Sequence, residues 1–176
     1  MVNKLGSITK LGILVPHLHN NQLGYEVTKQ LNKLKESNPK SDSIVFTEED
    51  RPQTLVANFG IMNISEAYDQ TGLIIATTPN TASKLIHFWG ANHKVFYNYD
   101  CFWLRGQRNS YEHLLNLYLN NEFDLICRSE SHKTLLENNF NTKVKAIVEN
   151  FNIKEILNMY SNIKIDSNNK KEVANV

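Results

Sequence analysis

Two histidines stand two apart in the stretch "ILVPHLHNN", at His17 and His19. In an extended segment residues i and i+2 point the same way, so the two imidazoles would share a side. Imidazole titrates near neutral pH, which suits it to general base work or metal ligation. No third ligand is evident nearby, so no metal site is expected. A solvated pair of loop histidines is the plainer reading. The stretch "YDCFWLRGQR" combines Asp100, Trp103, Arg105 and Arg108 in one loop. Aromatic rings beside guanidinium groups suit stacking on sugars or bases and contact with phosphates, and Asp100 is a second candidate base. The competing reading anchors Phe102 and Trp103 to the core and leaves the arginines in water. In "ATTPNTASK", Thr78 and Asn80 open a helix, where hydroxyls and backbone amides either bind an anion or sugar hydroxyl or simply cap the helix. In "RSESHK", Ser129 or Ser131 caps a helix, Arg128 either faces a phosphate or is solvated, and His132 reads as structural.

The elements that must position these groups alternate strand and helix. Leu11 to Val15 is an apolar run ended by Pro16. From Gln22 to Lys35, Leu23, Val27, Leu31 and Leu34 recur at helical spacing, with Asn20 or Asn21 as cap. "SIVFT" and "TLVANFG" read as strands, Ile64 to Tyr68 as a short helix, and "GLIIATT" as a wholly apolar strand. "NTASKLIHFW" is a helix, "KVFYNYD" a strand, and "SYEHLLNLYLNN" a helix. Strands at Leu125 to Cys127 and Val144 to Val148 flank another helix, and "IKEILNMY" is the last one. Strands apolar on both faces, joined by helices, predict an α/β fold: a mainly parallel sheet in a three-layer sandwich. Ligands of such folds collect beyond the carboxyl ends of the strands. The segments His17 to Asn21, Thr77 to Thr81, Asp100 to Arg108, Arg128 to Ser131 and Glu149 to Asn152 fall on that edge.

A chain of 176 residues holds one domain with a proper core. We place that domain at residues 1–161 and expect a flexible polar tail at 162–176. A formal net charge of +1 gives no global basic field and argues against a general nucleic-acid binder working by phosphate attraction alone, while leaving room for a local basic patch. The two cysteines are too few for a disulfide framework and read as reduced thiols of a cytoplasmic protein. No stretch reaches transmembrane length. The chain has no G-x-G-x-x-G and no G-x-x-x-x-G-K-[ST], which argues against a Rossmann dehydrogenase or a P-loop enzyme.

The stretch from Phe123 to Ile156 resembles the close of the amino-terminal, acceptor-side domain of GT-B glycosyltransferases. There a strand ends in a serine-bearing turn, a helix carries a Leu-Leu-Glu segment, and a short strand leads to an asparagine at the crossing into the second domain. The parallels are Ile126 to Glu130, then Leu135-Leu136-Glu137, Val144 to Val148, and Glu149-Asn150. Phe151 replaces the usual glycine. "KLGILVPHLHNN" and the run from Gly72 to Asp100 are similar to earlier parts of these enzymes, phage DNA glucosyltransferases among them. The resemblance covers roughly residues 10–160. It implies a Rossmann-like half-domain that holds an acceptor through Asn20, Asn21, Thr78, Asn80, Trp103, Arg105, Arg108, Arg128, Ser129, Glu149 and Asn150, with His17, His19 or Asp100 as base. It also implies a nucleotide-sugar donor of UDP-sugar type. In that family the donor is gripped mainly by the second domain, so no cofactor is assigned to this chain, and a donor-domain partner or a second copy is expected. The near-neutral charge leaves DNA open as an acceptor without favouring it. The alternative is a non-catalytic binding or regulatory module on the same half-domain.

Overall fold

The computed structural model describes residues 10–19, 21–50, 55–104 and 111–161, without the side chain of Trp103. Of the expectations above, Asn20, Arg105, Arg108, the Trp103 side chain and the tail at 162–176 lie outside the described residues. Seven strands form one sheet in the order β3-β2-β1-β4-β5-β6-β7. They are β1 Lys10–Val15, β2 Asp42–Thr47, β3 Gly60–Asn63, β4 Gly72–Ala76, β5 Ala91–Asn98, β6 Asp124–Cys127 and β7 Ala146–Ile147. Every neighbouring pair is parallel. The helices are α1 Gln22–Ser37, α2 Pro79–Leu85, α3 Tyr111–Tyr118, α4 Glu130–Phe140 and α5 Ile153–Ser161. This is the expected three-layer, Rossmann-like α/β architecture.

Alternation along each strand sorts the core into two layers. Ile13, Val15, Ile75, Val95 and Tyr97 face α1 and α5, where Val27, Leu31, Ile153 and Ile156 cover them. Leu14, Ile74, Ala76, Phe96 and Cys127 face the other way, against Leu85, Leu117, Leu136 and Phe140 of α2, α3 and α4. Ile13, Leu14 and Val15 are all fully buried, each contributing roughly 1.5–3 kcal/mol. That explains why β1 is apolar from Leu11 to Val15 rather than alternating. Gly72 opens β4 at φ +97, and a Cβ there would come within 2.3 Å of the Lys10 carbonyl oxygen. Only glycine fits.

Two elements differ from the sequence reading. The third strand is Gly60–Asn63, not the apolar "TLVANFG" before it. Asn32 of α1 takes that backbone instead: its amide donates to the Val56 carbonyl at 2.8 Å, and its carbonyl accepts from the Asn58 N–H at 2.9 Å. Helix α2 stops at Leu85 rather than running on to Trp89. Tight turns follow, the Lys94 ammonium holds the Ile86 carbonyl at 2.8 Å, and Trp89 is left exposed.

The sheet winds outward in both directions from β1. Strands β1 and β4 are neighbours in space but not in sequence. Their carboxyl ends therefore open a crevice between diverging connections, the position where folds of this order bind ligands.

Candidate functional site

The crevice is built first by the turn after β1. Leu18 is buried and pins the loop, which leaves His17 and His19 half-buried on its other side. Asn21 caps α1: its side-chain oxygen accepts from the Gly24 N–H at 2.6 Å. A Cβ on Gly24 would stand 3.0 Å from the Leu18 backbone, so glycine lets the first turn of α1 close onto the loop. The Asn21 amide nitrogen donates to the His19 carbonyl at 2.9 Å and meets His17 Nδ1 at 3.1 Å. Because the cap fixes which end of the Asn21 amide is oxygen, His17 Nδ1 must be the acceptor. Its proton then sits on Nε2. In this geometry His17 offers a donor to the crevice, and work as a base requires the Asn21 contact to break.

The opposite wall follows β4. The Thr77 hydroxyl donates to the Leu14 carbonyl at 2.8 Å and ties the two switch-point strands together. The Thr77 and Thr78 N–H groups both donate to the Thr81 hydroxyl, at 3.1 and 3.0 Å, and Thr78 caps α2. These amides are spent on capping, so of the two readings of "ATTPNTASK" the geometry favours the structural one. Asn80 donates to Glu48 Oε1 at 2.5 Å, and Glu48 also pairs with Lys84. This network closes the crevice on the β2 side.

Beyond β5, Asn98 is fully buried. Its carbonyl accepts from the Tyr118 hydroxyl at 2.7 Å, and its amide donates to the Asp100 carbonyl at 3.2 Å. The Asp100 carboxylate accepts from the Cys101 N–H at 2.8 Å, which holds the start of the following turn. The Arg128 guanidinium lies over the Tyr99 ring, 4.9 Å from its centre. Burial pushes the Tyr99 phenol up, and Arg128 opposes that. Ser129 caps α4 by accepting from the His132 N–H at 3.3 Å. Burial pushes the His132 imidazole down, and Arg128 adds to the effect.

Glu149 and Asn150 lie apart from the crevice centre. They line an open cleft of about 630 Å³ between α1 and the end of β7, with Gln30, Lys33, Asn152 and Glu155. Asn150 and Phe151 are both left-handed, at φ 50 and φ 51. The buried Tyr97 hydroxyl holds this turn, donating to the Val148 carbonyl at 2.5 Å and accepting from the Phe151 N–H at 3.2 Å.

The structure thus brings His17, His19, Asn21, Thr78 and Asn80 to one crevice. It sets Asp100, Arg128 and Ser129 along the same edge and separates Glu149 and Asn150 into a neighbouring cleft. Sequence reasoning assigned no role to Glu26 and read His132 only as structural, yet both bear on the edge. Glu26 acts on Tyr99, as does Arg128. Spacing along α1 gives no sign of this, because Tyr99 follows β5 and joins the α1 layer only in the folded sheet. Among the described residues, no group of three or more His, Cys, Asp or Glu side chains is arranged to hold a metal ion. Among them too, no helix is long and apolar enough to cross a membrane.

These features define a Rossmann-like α/β domain with a polar crevice at its topological switch point. No family model, no curated protein and no solved structure matches the chain.

Proposed function

We propose that this chain is an acceptor-side domain of GT-B type, working in sugar transfer from a nucleotide-sugar. The observation that carries the reading is the strand order. Seven parallel strands reverse their winding at β1 and β4 and collect His17, His19, Asn21 and Thr78 at the carboxyl end of that junction. Such an edge supplies donors and acceptors for hydroxyl groups and carries no phosphate-binding glycine loop. The acceptor hydroxyl binds there, and His17, His19 or Asp100 takes its proton. The UDP-sugar is held chiefly by a donor-side domain from a partner protein or a second copy. Closure of the two walls orients donor and acceptor and excludes water.

The test is release of UDP from UDP-glucose, by the chain alone and by complexes captured on it. His17→Ala, His19→Ala and Asp100→Asn are assayed beside the wild type. A loss of about 100-fold or more in one variant is the effect expected of a base. Equal rates in all three variants would remove the assignment. No release under any condition would leave a binding module rather than a transferase.

A further inference from the structure

We propose that Asn21 is a positioning residue: it holds the His17 imidazole as a hydrogen-bond donor to the crevice, so that His17 grips a substrate oxygen and does not take the acceptor proton. The inference rests on the sugar-transfer reading above and narrows its base to His19 or Asp100.

Two backbone groups fix the Asn21 amide independently of His17. The Gly24 N–H can only donate, so the Asn21 atom 2.6 Å from it is the oxygen. The His19 carbonyl can only accept, so the Asn21 atom 2.9 Å from it is the nitrogen. An amide turned end over end would break both bonds at once. The same nitrogen stands 3.1 Å from His17 Nδ1, and two donors cannot share that contact. Nδ1 is therefore bare, and the neutral ring carries its proton on Nε2.

The frame around this pair is anchored at both ends. Leu18 is 4% exposed, and the first turn of α1 lies so close to its backbone that a Cβ on Gly24 would stand 3.0 Å away. The Tyr25 N–H donates to the Asn21 carbonyl at 3.0 Å, and the Thr28 hydroxyl donates to the Gly24 carbonyl at 2.8 Å. At the start of the loop, the Glu48 and Glu49 N–H groups both donate to the Pro16 carbonyl, at 3.1 and 3.0 Å. Asn21 thus keeps its place whichever proton His17 carries, and the ring must adapt to the amide.

The chemistry follows from which nitrogen holds the lone pair. A general base needs a bare nitrogen facing the hydroxyl it deprotonates. On His17 the bare nitrogen faces Asn21, and the far side of the ring presents an N–H. That N–H bonds an oxygen of the substrate and polarises it without moving a proton. Asn21 touches His19 only at its carbonyl, which leaves the His19 ring open to either tautomer. The Asp100 carboxylate is likewise outside the reach of this constraint, held by the Cys101 N–H at 2.8 Å.

The experiment is a long-range proton–nitrogen NMR correlation of the histidine rings in the isotope-labelled full chain, at pH 8, with and without UDP-glucose. Wild type, Asn21→Ser and Asn21→Asp are compared, and both replacements still cap α1. Wild type is expected to show a bare Nδ1 and a protonated Nε2 on His17. Asn21→Ser removes the amide and should lower the ratio of the Nε2–H to the Nδ1–H form about two- to tenfold, the effect of losing one hydrogen bond. Asn21→Asp sets a carboxylate oxygen against Nδ1 and should invert the ratio. An Nδ1–H in the wild type, or one ratio in all three proteins, would overturn the lock. UDP-glucose should shift His17 Nε2; crevice amides that respond while Nε2 does not would overturn the donor role. In UDP release, His17→Gln should recover part of the rate that His17→Ala loses, because its amide donates where Nε2–H did and takes no proton. A glutamine variant as slow as the alanine one would return the base to His17. Neither UDP-glucose binding nor UDP release in any protein would discard the transferase reading, while the ring signals would still decide the lock.

Discussion

Tyr97→Phe isolates one hydroxyl. The Tyr97 ring packs edge-on against Phe151, with centroids 4.9 Å apart at 87°, and phenylalanine keeps that contact. What disappears is the bridge from the Val148 carbonyl to the Phe151 N–H. Val148 is 1% exposed and Phe151 is fully buried, so water does not replace the hydroxyl. Each orphaned buried group costs about 1–3 kcal/mol, so the pair should cost ~2–6 kcal/mol. For a domain of this size that lowers Tm by roughly 4–24 °C. The bridge also holds Asn150 and Phe151 in left-handed geometry, which non-glycine residues adopt at a cost of about 1–2 kcal/mol each. The loss should therefore be local as well as global. Phe151 amide exchange should quicken more than exchange in β1, and calorimetry with native-state hydrogen exchange reads both. Tyr160→Phe is the control. Its hydroxyl donates to Asp124 Oδ2 at 2.8 Å, but Lys145 holds the same oxygen, so about 0.5–1.5 kcal/mol should go. A Tyr97→Phe protein within 0.5 kcal/mol of wild type, or less affected than Tyr160→Phe, would refute the claim that this hydroxyl pins the turn.

Asn150→Gly should stabilise the chain by up to about 1 kcal/mol in urea denaturation, because glycine enters the left-handed region freely; a loss of stability would show that the Asn150 side chain matters more than its backbone. His132 has a folded-state pKa below its unfolded value of 6.5, so the unfolded chain binds more protons below that pH and stability falls as pH drops through 6.5. In His132→Gln, chemical denaturation between pH 7 and 5 should show a flatter dependence, and an unchanged slope would remove His132 as the source. Burial pushes the Cys127 thiol up and hides it, whereas Cys101 is half-exposed. Iodoacetamide at pH 8 should therefore label Cys101 first by mass spectrometry, and equal labelling would mean β6 opens readily.

The layering was legible because it follows from alternation. "GILV" and "GLIIA" are apolar on both faces, and only a sheet covered on both sides accommodates them. The switch point between β1 and β4 was not legible, because alternation of strands and helices does not by itself fix the order of strands in the sheet. The third strand was not legible. Its residues, Gly60–Asn63, form an exposed edge, while the more apolar run before them pairs with Asn32 from another element. Most of the candidate edge could be read, since polar turns after strands are local features. The tautomer of His17 could not, because it depends on which way Asn21 caps a helix. Glu26 was missed for a similar reason. On α1 it is one polar residue among several, and only folding brings it to Tyr99.

The central claim is that the carboxyl-end crevice between β1 and β4 receives the sugar-transfer substrates. The most direct measurement is an amide NMR footprint of UDP-glucose on the full chain. The account predicts shifts at His17, Asn21, Thr77 and Thr78, with an affinity on the order of millimolar for one wall of a two-walled site. It would be contradicted by a footprint confined to the amino end of β6, in the cleft lined by Asn120, Asn141 and Lys143.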